Sequence, residues 1–228
     1  LGRSITRLAT GVKISGASDG VGELALSESI RSDVRALQQG SRNLNDGLGL
    51  IRTAEAALND ISGTFIRLRE LASQAANGTV GATEKQTINL EYQNLLAELD
   101  RISNSTSFRD TVLLDGTLAK SASEHLVLQV GVDSTSENQI DLNNELDLTQ
   151  VSRAAFNLED SNVTSQGAAF LALNDLTSSI NTLIEIRSRV GSTQIRLTSA
   201  LNNLNSQIEN LTGAVSTIRD ADIAEELA

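Results

Sequence analysis

Apolar residues recur every three or four positions over the last quarter of the chain. This alternation is a heptad seam, and such a seam needs an apolar partner helix. Only Arg187 and Gln194 interrupt it. The spacing predicts one long helix that follows a loop at 161–168 and runs to about Thr217. The seam positions are Leu176, Ile180, Leu183, Val190, Leu197, Leu201, Leu204, Ile208, Leu211, Val215 and Ile218.

The N-terminal half carries a matching stripe, which predicts a second long helix from Glu23 to Ala76. The chain contains no proline, and because proline breaks helix interiors, its absence favours long uninterrupted helices. Glycines inside this helix indicate close packing, since they are otherwise unfavourable there. The stripe consists of Ile30, Val34, Leu37, Leu44, Leu48, Ile51, Leu58, Ile61, Phe65, Leu68, Ala72 and Ala75, and the interior glycines are Gly40, Gly47, Gly49 and Gly63.

The middle of the chain changes from a helical period to a period of two. A turn at 77–83 is followed by a helix from Thr83 to about Asn104. Alternating apolar residues then predict a β-hairpin of 125–132 with 138–142. Further short strands are predicted around Val112–Leu118 and Leu146–Leu148.

These elements predict a mainly α fold with a small β part. The last helix runs back along the first, which gives an elongated antiparallel bundle of long helices with the β-hairpin region at one end. Both termini then lie at the other end of the bundle.

Three segments follow from this order. Residues 1–22 comprise the end of a helix and a glycine-rich connector, with Asp19 as a candidate helix cap. Residues 23–116 and 166–228 form a discontinuous helical rod domain, and 117–165 form a short β-hairpin or variable insert. The chain begins at Leu1 and is still apolar near Leu227, which predicts the trimmed middle of a longer protein.

The composition limits the kinds of molecule that the chain could bind and the kind of core that it could form. The formal net charge is −11, which disfavours nucleic acid and anionic lipid, because phosphate binding needs clustered lysine and arginine. No apolar run approaches the ~20 residues needed to cross a bilayer. Cysteine is absent, which removes thiolate metal sites and disulfides. Aromatic content is 2%, which suits thin helix–helix seams better than a thick globular core.

Motifs for catalysis and cofactor binding are weak. His125 is the single histidine, and its predicted strand position favours a surface residue over a catalytic one. The GASDGVG segment lacks the Lys-Ser or Lys-Thr of a phosphate loop. Asp133, Glu137 and Asp141 flank the hairpin turn, but without the spacing of a calcium loop. The sequence predicts no enzyme activity, no cofactor and no metal.

Long stretches at both ends resemble bacterial flagellins. The N-terminal stretch is RLATGVKISGASDGVGELALSESIRSDVRALQQGSRNLNDGLGLIRTAEAALNDI, followed by RLRELASQAANGT, LAELDRISNSTSF and VLLDG. The C-terminal stretch is IRSRVGSTQIRLTSALNNLNSQIENLTGAVSTIRDADIAEELA. The resemblance covers residues 1 to about 116 and 176–228. It departs at Ser18, Glu23 and Phe108-Arg109-Asp110, where flagellins usually have aspartate, glycine and Phe-Asn-Gly.

The resemblance implies a structural subunit of the flagellar filament, outside the cell, that self-assembles for motility. It implies a core fragment without the terminal polymerisation helices, which we expect to stay monomeric. The implied partners are other flagellin subunits, the flagellar export chaperone and the filament cap. By family position, Arg67, Leu71 and Glu91 match a surface that meets the host toll-like receptor and is buried between subunits in the filament.

Three alternatives remain open at this point. A flagellin-like protein could bind a polysaccharide or a host receptor at the cell surface. The hook–filament junction protein shares the terminal architecture, although RDADIAEELA and SRNLNDG are more similar to filament flagellin. An enzyme in the central segment is disfavoured, because 117–175 is short and the chain has one histidine.

Overall fold

Long helices dominate the chain. The computed structural model describes residues 8–14, 16 and 20–221. Helix α1 is Val21–Ala76, α2 is Ala82–Ser105, α3 is the short Leu142–Leu146, and α4 is Gln166–Arg219. The predicted ends of the three long helices differ from these by at most three residues. Of the helix end predicted over residues 1 to about 10, the described residues 8–10 are helical and the rest lies outside the described residues, as does the cap predicted at Asp19.

Two small antiparallel sheets supply the β part. Strands β1 (Ser107–Phe108) and β2 (Thr111–Val112) pair antiparallel, with Ser107 opposite Val112. Strand β3 (Val127–Gln129) pairs with β4 (Gln139–Asp141), and a single 3-10 turn, Ser136–Asn138, precedes β4. The predicted hairpin is therefore confirmed, as is a mainly α fold with a small β part.

Of the two further strands predicted, one is confirmed only in part and the other is wrong. The strand expected around Val112–Leu118 is limited to β2. The strand expected around Leu146–Leu148 is replaced by α3, because Asp141 caps a helix directly after β4 by accepting a hydrogen bond from Asn144 N. Asp147 ends that helix in the left-handed region, at φ 41°.

The described residues form two compact units, and both long helices contribute to each. One unit contains α1 up to Asp46, Leu128–Ile140 and α4 from Leu197 onwards. In this unit the two helices run antiparallel, since Ser41 Oγ donates to Asn205 Oδ1 at 3.3 Å and Arg219 Nη1 donates to Glu28 at 3.0 Å. The division of the chain predicted from sequence stays a prediction.

The β3–β4 hairpin lies against the middle of α1. Asn43 Nδ2 donates to the carbonyl of Gln129 at 2.8 Å. A Cβ at residue 40 would lie 2.9 Å from the carbonyl carbon of Val130 and closer still to its oxygen. Gly40 is therefore required for this contact, as the close-packing interpretation predicted.

The other unit, 47–127 with 141–196, holds the aromatic part of the core. Phe65 and Phe156 meet edge to face, with ring centroids 5.0 Å apart. Phe108 in β1 lies against Gly49, 3.4 Å from the position that a Cβ would occupy. Gln166, at the start of α4, donates to the carbonyl of Ala76 at 3.0 Å, so the end of α1 meets the start of α4.

In this unit, every second seam position of α4 lies one residue before the position predicted from the sequence. Ile186 and Thr193 are 1% and 2% exposed, whereas Arg187 and Gln194 are half-buried. The apparent interruptions of the heptad were therefore neighbours of the true seam positions. The buried face in this unit includes Leu176, Ser179, Leu183, Ile186, Val190 and Thr193.

Candidate functional site

An exposed ion-pair cluster joins α1 to α2 at the predicted site. Arg67 on α1 donates from Nε at 2.9 Å and from Nη2 at 2.7 Å to the same carboxylate oxygen of Glu91 on α2. Its Nη1 donates to Glu70 at 3.0 Å. About half of each side chain remains exposed in the Arg67–Glu91 pair. Two of the three predicted site residues are thus in direct contact.

The charges of this cluster reinforce one another. Hydrogen bonding to Glu91, and then to Glu70, raises the pKa of Arg67. The arginine stays charged at any physiological pH, and because both partners are exposed, the pairing adds little to stability. The cluster therefore presents a fixed arrangement of one positive and two negative groups to solvent.

Leu71, the third predicted site residue, lies in the core. It is 2% exposed, so its side chain supports α1 from inside and does not share the surface of Arg67 and Glu91. The sequence neighbours of the ion pair, Ile66 and Leu90, are exposed at 57% and 67%.

A groove between α1 and α2 continues from Arg67 along both helices. Its floor includes the half-buried Leu95 and Ile102, and its rim carries Asp60 and the Glu98–Arg101 ion pair. Hydrogen bonding to Arg101 lowers the pKa of Glu98, which stays ionised. The groove is lined by Asn59, Asp60, Gly63, Thr64, Arg67, Leu95, Glu98, Arg101 and Ile102.

Gly63 opens this groove from the α1 side. It is exposed, and no heavy atom lies within 4 Å of the position that its Cβ would take. A glycine inside a helix is unfavourable by about 1 kcal/mol relative to alanine. Unlike Gly40, Gly63 is required by no contact within the described chain. The sequence predicted close packing at Gly63 as it did at Gly40. Only the position of Gly63 on the outer side of α1, away from the apolar stripe, could have distinguished the two glycines.

The single histidine is held in a separate polar cluster. His125 Nδ1 lies 2.6 Å from Asp141 Oδ2, and Asp141 also caps α3. Hydrogen bonding to Asp141 raises the pKa of His125. Beneath this pair the fully buried Asn143 donates to the carbonyls of Thr117 and Ala119 at 2.9 and 3.1 Å. The histidine therefore helps to hold a loop, and sequence analysis gave no signal for Asn143.

The carboxylates considered for calcium do not converge. Asp133 accepts hydrogen bonds from Thr135 and Asn138 of its own loop, whereas Asp141 is engaged by His125. Across the described part of the chain, no group of three or more histidine, cysteine or acidic residues could hold a metal ion. None of the helices described is long and apolar enough to span a bilayer.

Comparison with known proteins identifies the family. The family described as the bacterial flagellin N-terminal helical region matches residues 1–119, and the family described as the bacterial flagellin C-terminal helical region matches 173–228. The chain is similar to a flagellin of Halalkalibacterium halodurans, at 36% identity over 99% of this chain and 79% of the relative. It is 33% identical to a flagellin of Bacillus subtilis, over 99% of this chain and 82% of the relative.

Solved structures agree with this assignment. The crystal structure of Bacillus cereus flagellin matches with a TM-score of 0.59 and 31% identity, covering 76% of this chain and 94% of that one. A putative flagellar hook-associated protein from Vibrio parahaemolyticus matches with a TM-score of 0.70 over 89% of this chain and all of that one, but at 12% identity it shows the fold alone. The chain therefore belongs to the bacterial flagellin family and is a structural subunit of the flagellar filament.

Proposed function

We propose that the α1–α2 groove and the adjoining Arg67–Glu91 cluster form a contact surface between subunits of the filament. The position of the open Gly63 within this groove carries the proposal. A helix-destabilising residue that no contact of the described chain requires is accounted for if another molecule approaches the backbone there. A filament grows by heterologous contacts, in which one surface of a subunit meets a different surface of the next.

The chemistry of the surface supports a protein partner. Exposed Ile66 and Leu90 supply apolar area beside the charged cluster, and Leu95 and Ile102 supply an apolar floor. Asp60 on the rim is exposed, and in the described part of the chain its side chain makes no hydrogen bond or ion pair, so it is available to a basic side chain of a neighbour. An apolar centre with a charged rim is the usual anatomy of a protein interface.

The test fills the groove without disturbing the fold. Gly63→Gln places a good helix former at an exposed position, so the purified chain should be at least as stable as the unmodified one. When the variant replaces the natural gene, we expect short or absent filaments by electron microscopy and loss of swimming in soft agar. Gly167→Gln is the matched control, since Gly167 is also an exposed helical glycine with no neighbour within 4 Å.

Two outcomes of this experiment would contradict the proposal. Normal filaments from Gly63→Gln would overturn the groove as a contact surface. Equal loss in both variants would show that the effect is not specific to the groove, which would also contradict the proposal.

We also propose that the Arg67–Glu91 surface meets the host toll-like receptor in the free subunit, with Leu71 acting through the packing of α1. Support comes from the exposure of the ion pair and the burial of Leu71. Arg67→Ala and Glu91→Ala should lower receptor signalling in a reporter cell line while leaving the circular dichroism spectrum unchanged. Full signalling by both variants would contradict this role.

The remaining expectations are proposals of the same kind. We propose that the chain works outside the cell, is delivered by the flagellar export chaperone and the filament cap, and catalyses no reaction. The engagement of the single histidine by Asp141 supports a structural role for that residue. Co-purification of the chain with an export chaperone from the source cells would test the delivery step.

A further inference from the structure

The connection between α1 and α2 begins with the sequence Asn77-Gly78. It is the one place in the sequence where glycine follows asparagine. Both residues are exposed. The Asn77 carbonyl accepts a hydrogen bond from Val80 N at 3.3 Å, so the two residues begin a tight turn just past the end of α1.

We propose that Asn77 is a site of spontaneous deamidation, at which the main-chain nitrogen of Gly78 attacks the side-chain amide of Asn77. The Gly78 N–H gives its proton to a solvent base as the new bond forms between the nitrogen and Asn77 Cγ. The Cγ–Nδ2 bond then breaks, and Nδ2 takes up a proton and leaves as ammonia. The resulting succinimide adds one water and opens to aspartate or isoaspartate.

The reacting groups are free at this turn. In the described chain, neither the Gly78 N–H nor the Asn77 Nδ2 has a hydrogen-bond partner. Glycine has no Cβ to obstruct the attack and can adopt backbone angles that other residues rarely reach. The nucleophile and the leaving group are therefore both accessible to solvent.

The turn also stabilises the charge that develops. Thr79 N donates to Asn77 Oδ1 at 3.1 Å. This bond polarises the amide carbonyl that is attacked, and it remains aimed at the same oxygen when that oxygen becomes negative. A main-chain donor at this distance acts as in the oxyanion holes of acyl-transfer enzymes.

Asn162 provides an internal comparison. Its Oδ1 also accepts a hydrogen bond from the residue two positions later, Thr164 N, at 3.4 Å. Here the following residue is the β-branched Val163, whose N–H already donates to Asn89 at 2.9 Å. Asn162 thus has the same local turn but no free nucleophile, and we expect it to stay intact.

Deamidation would change the end of α1. The product places a carboxylate just past the helix C-terminus, where the helix dipole disfavours negative charge, and the last turn of α1 contains no basic residue to offset it. The isoaspartate form also inserts an extra main-chain atom into the connection. That connection is held next to α4, because Gln166 donates to Ala76.

The test follows the intact folded chain during storage in neutral buffer. Trypsin cuts after Arg69 and Lys85, and the resulting peptide contains Asn77 as its one asparagine. Mass spectrometry of that peptide should show the replacement of an amide nitrogen by oxygen at a rate several-fold above that of Asn162. An isoaspartyl methyltransferase with its methyl donor should label the same peptide.

Two variants and a readout of the fold complete the experiment. Gly78→Ala is accommodated, since its Cβ would lie 3.7 Å from Gln166 Nε2, and it should slow the reaction by about an order of magnitude. Asn77→Gln should give no product at residue 77 and should keep its denaturation midpoint on storage, whereas that of the unmodified chain falls. Equal rates at Asn77 and Asn162, or an unchanged rate in Gly78→Ala, would overturn the proposal.

Discussion

Glycines of the same helix have opposite roles at the residue scale. Gly40 is buried against the carbonyl of Val130, whereas Gly63 is exposed and has an empty space above it. The sequence treats them alike, since both are glycines inside the predicted helix. What separates them is the β3–β4 hairpin, whose chain lies some 90 residues away in sequence from Gly40, at Val130.

The two glycines predict changes of opposite sign. Gly40→Ala forces a backbone contact apart and should lower the free energy of unfolding by about 1–3 kcal/mol. Gly63→Ala fills open space and should raise it by about 0.5–1 kcal/mol. Urea denaturation followed by circular dichroism measures both. A stabilised Gly40→Ala chain would contradict the contact between the hairpin and α1.

Titration of His125 predicts a pH dependence of the loop that Asn143 holds. Because its pKa is raised in the folded state, the stability it adds is complete below the unfolded value of about 6.5. That stability is lost as the pH rises through the folded value. Burial acts to raise the pKa of Asp141, but hydrogen bonds from His125 and Asn144 lower it overall, so its own contribution is lost only on acidification.

Hydrogen exchange of the 117–126 amides measures this effect. Protection should fall as the pH rises through the raised pKa of His125, after correction for the intrinsic exchange rate. His125→Gln keeps a hydrogen-bond donor without the titration and should flatten the pH profile. A wild-type profile that is already flat would exclude a role for the histidine charge.

At the element scale, the register of α4 is the main difference between sequence and structure. Counting apolar residues selected Ile180, Arg187, Gln194 and Leu201 as alternate seam positions, of which two are polar. The buried face instead includes Ser179 and Thr193, whose hydroxyls bond to main-chain carbonyls of Phe156 and Glu145. Small polar residues satisfied in this way cannot be identified as buried from hydropathy.

The register predicts which of two adjacent residues maintains the fold. Ile186→Ala removes a side chain that is 1% exposed and should lower the free energy of unfolding by about 2–5 kcal/mol. Arg187→Ala should change it by no more than about 0.5 kcal/mol. Thermal melts of the two variants measure these changes in stability. A larger loss of stability in Arg187→Ala would support the register expected from the sequence.

Helices were more predictable than strands for a physical reason. A helix of more than 50 residues repeats its apolar signal many times, and the bounds of α1 and α4 were accordingly close. Strands of two or three residues carry almost no period, and α3 depends on the Asp141 cap. The Arg67–Glu91 pair could be predicted only from the family resemblance, because contacts between residues on different helices leave no signature in the sequence.

At the scale of the whole molecule, the excess of negative charge bears on assembly. Each chain carries a formal net charge of −11. Copies placed side by side therefore repel one another, and salt screens this repulsion beyond a Debye length of about 10 Å at 0.1 M ionic strength. The subunit contacts proposed at the Arg67 cluster and the Asp60 rim would act at shorter range. The two effects respond to salt in opposite directions.

Net repulsion predicts that filaments isolated from the source cells become more stable as salt is added. The temperature at which they depolymerise, followed by light scattering, should rise from low to physiological ionic strength. If opposite charges across the subunit contacts dominated instead, added salt would lower that temperature. An osmolyte such as sucrose at matched osmolality is the control, since it leaves charges unscreened. Filaments of Gly63→Ala change the groove but keep the net charge, so they separate the effect of the groove contact from the effect of screening.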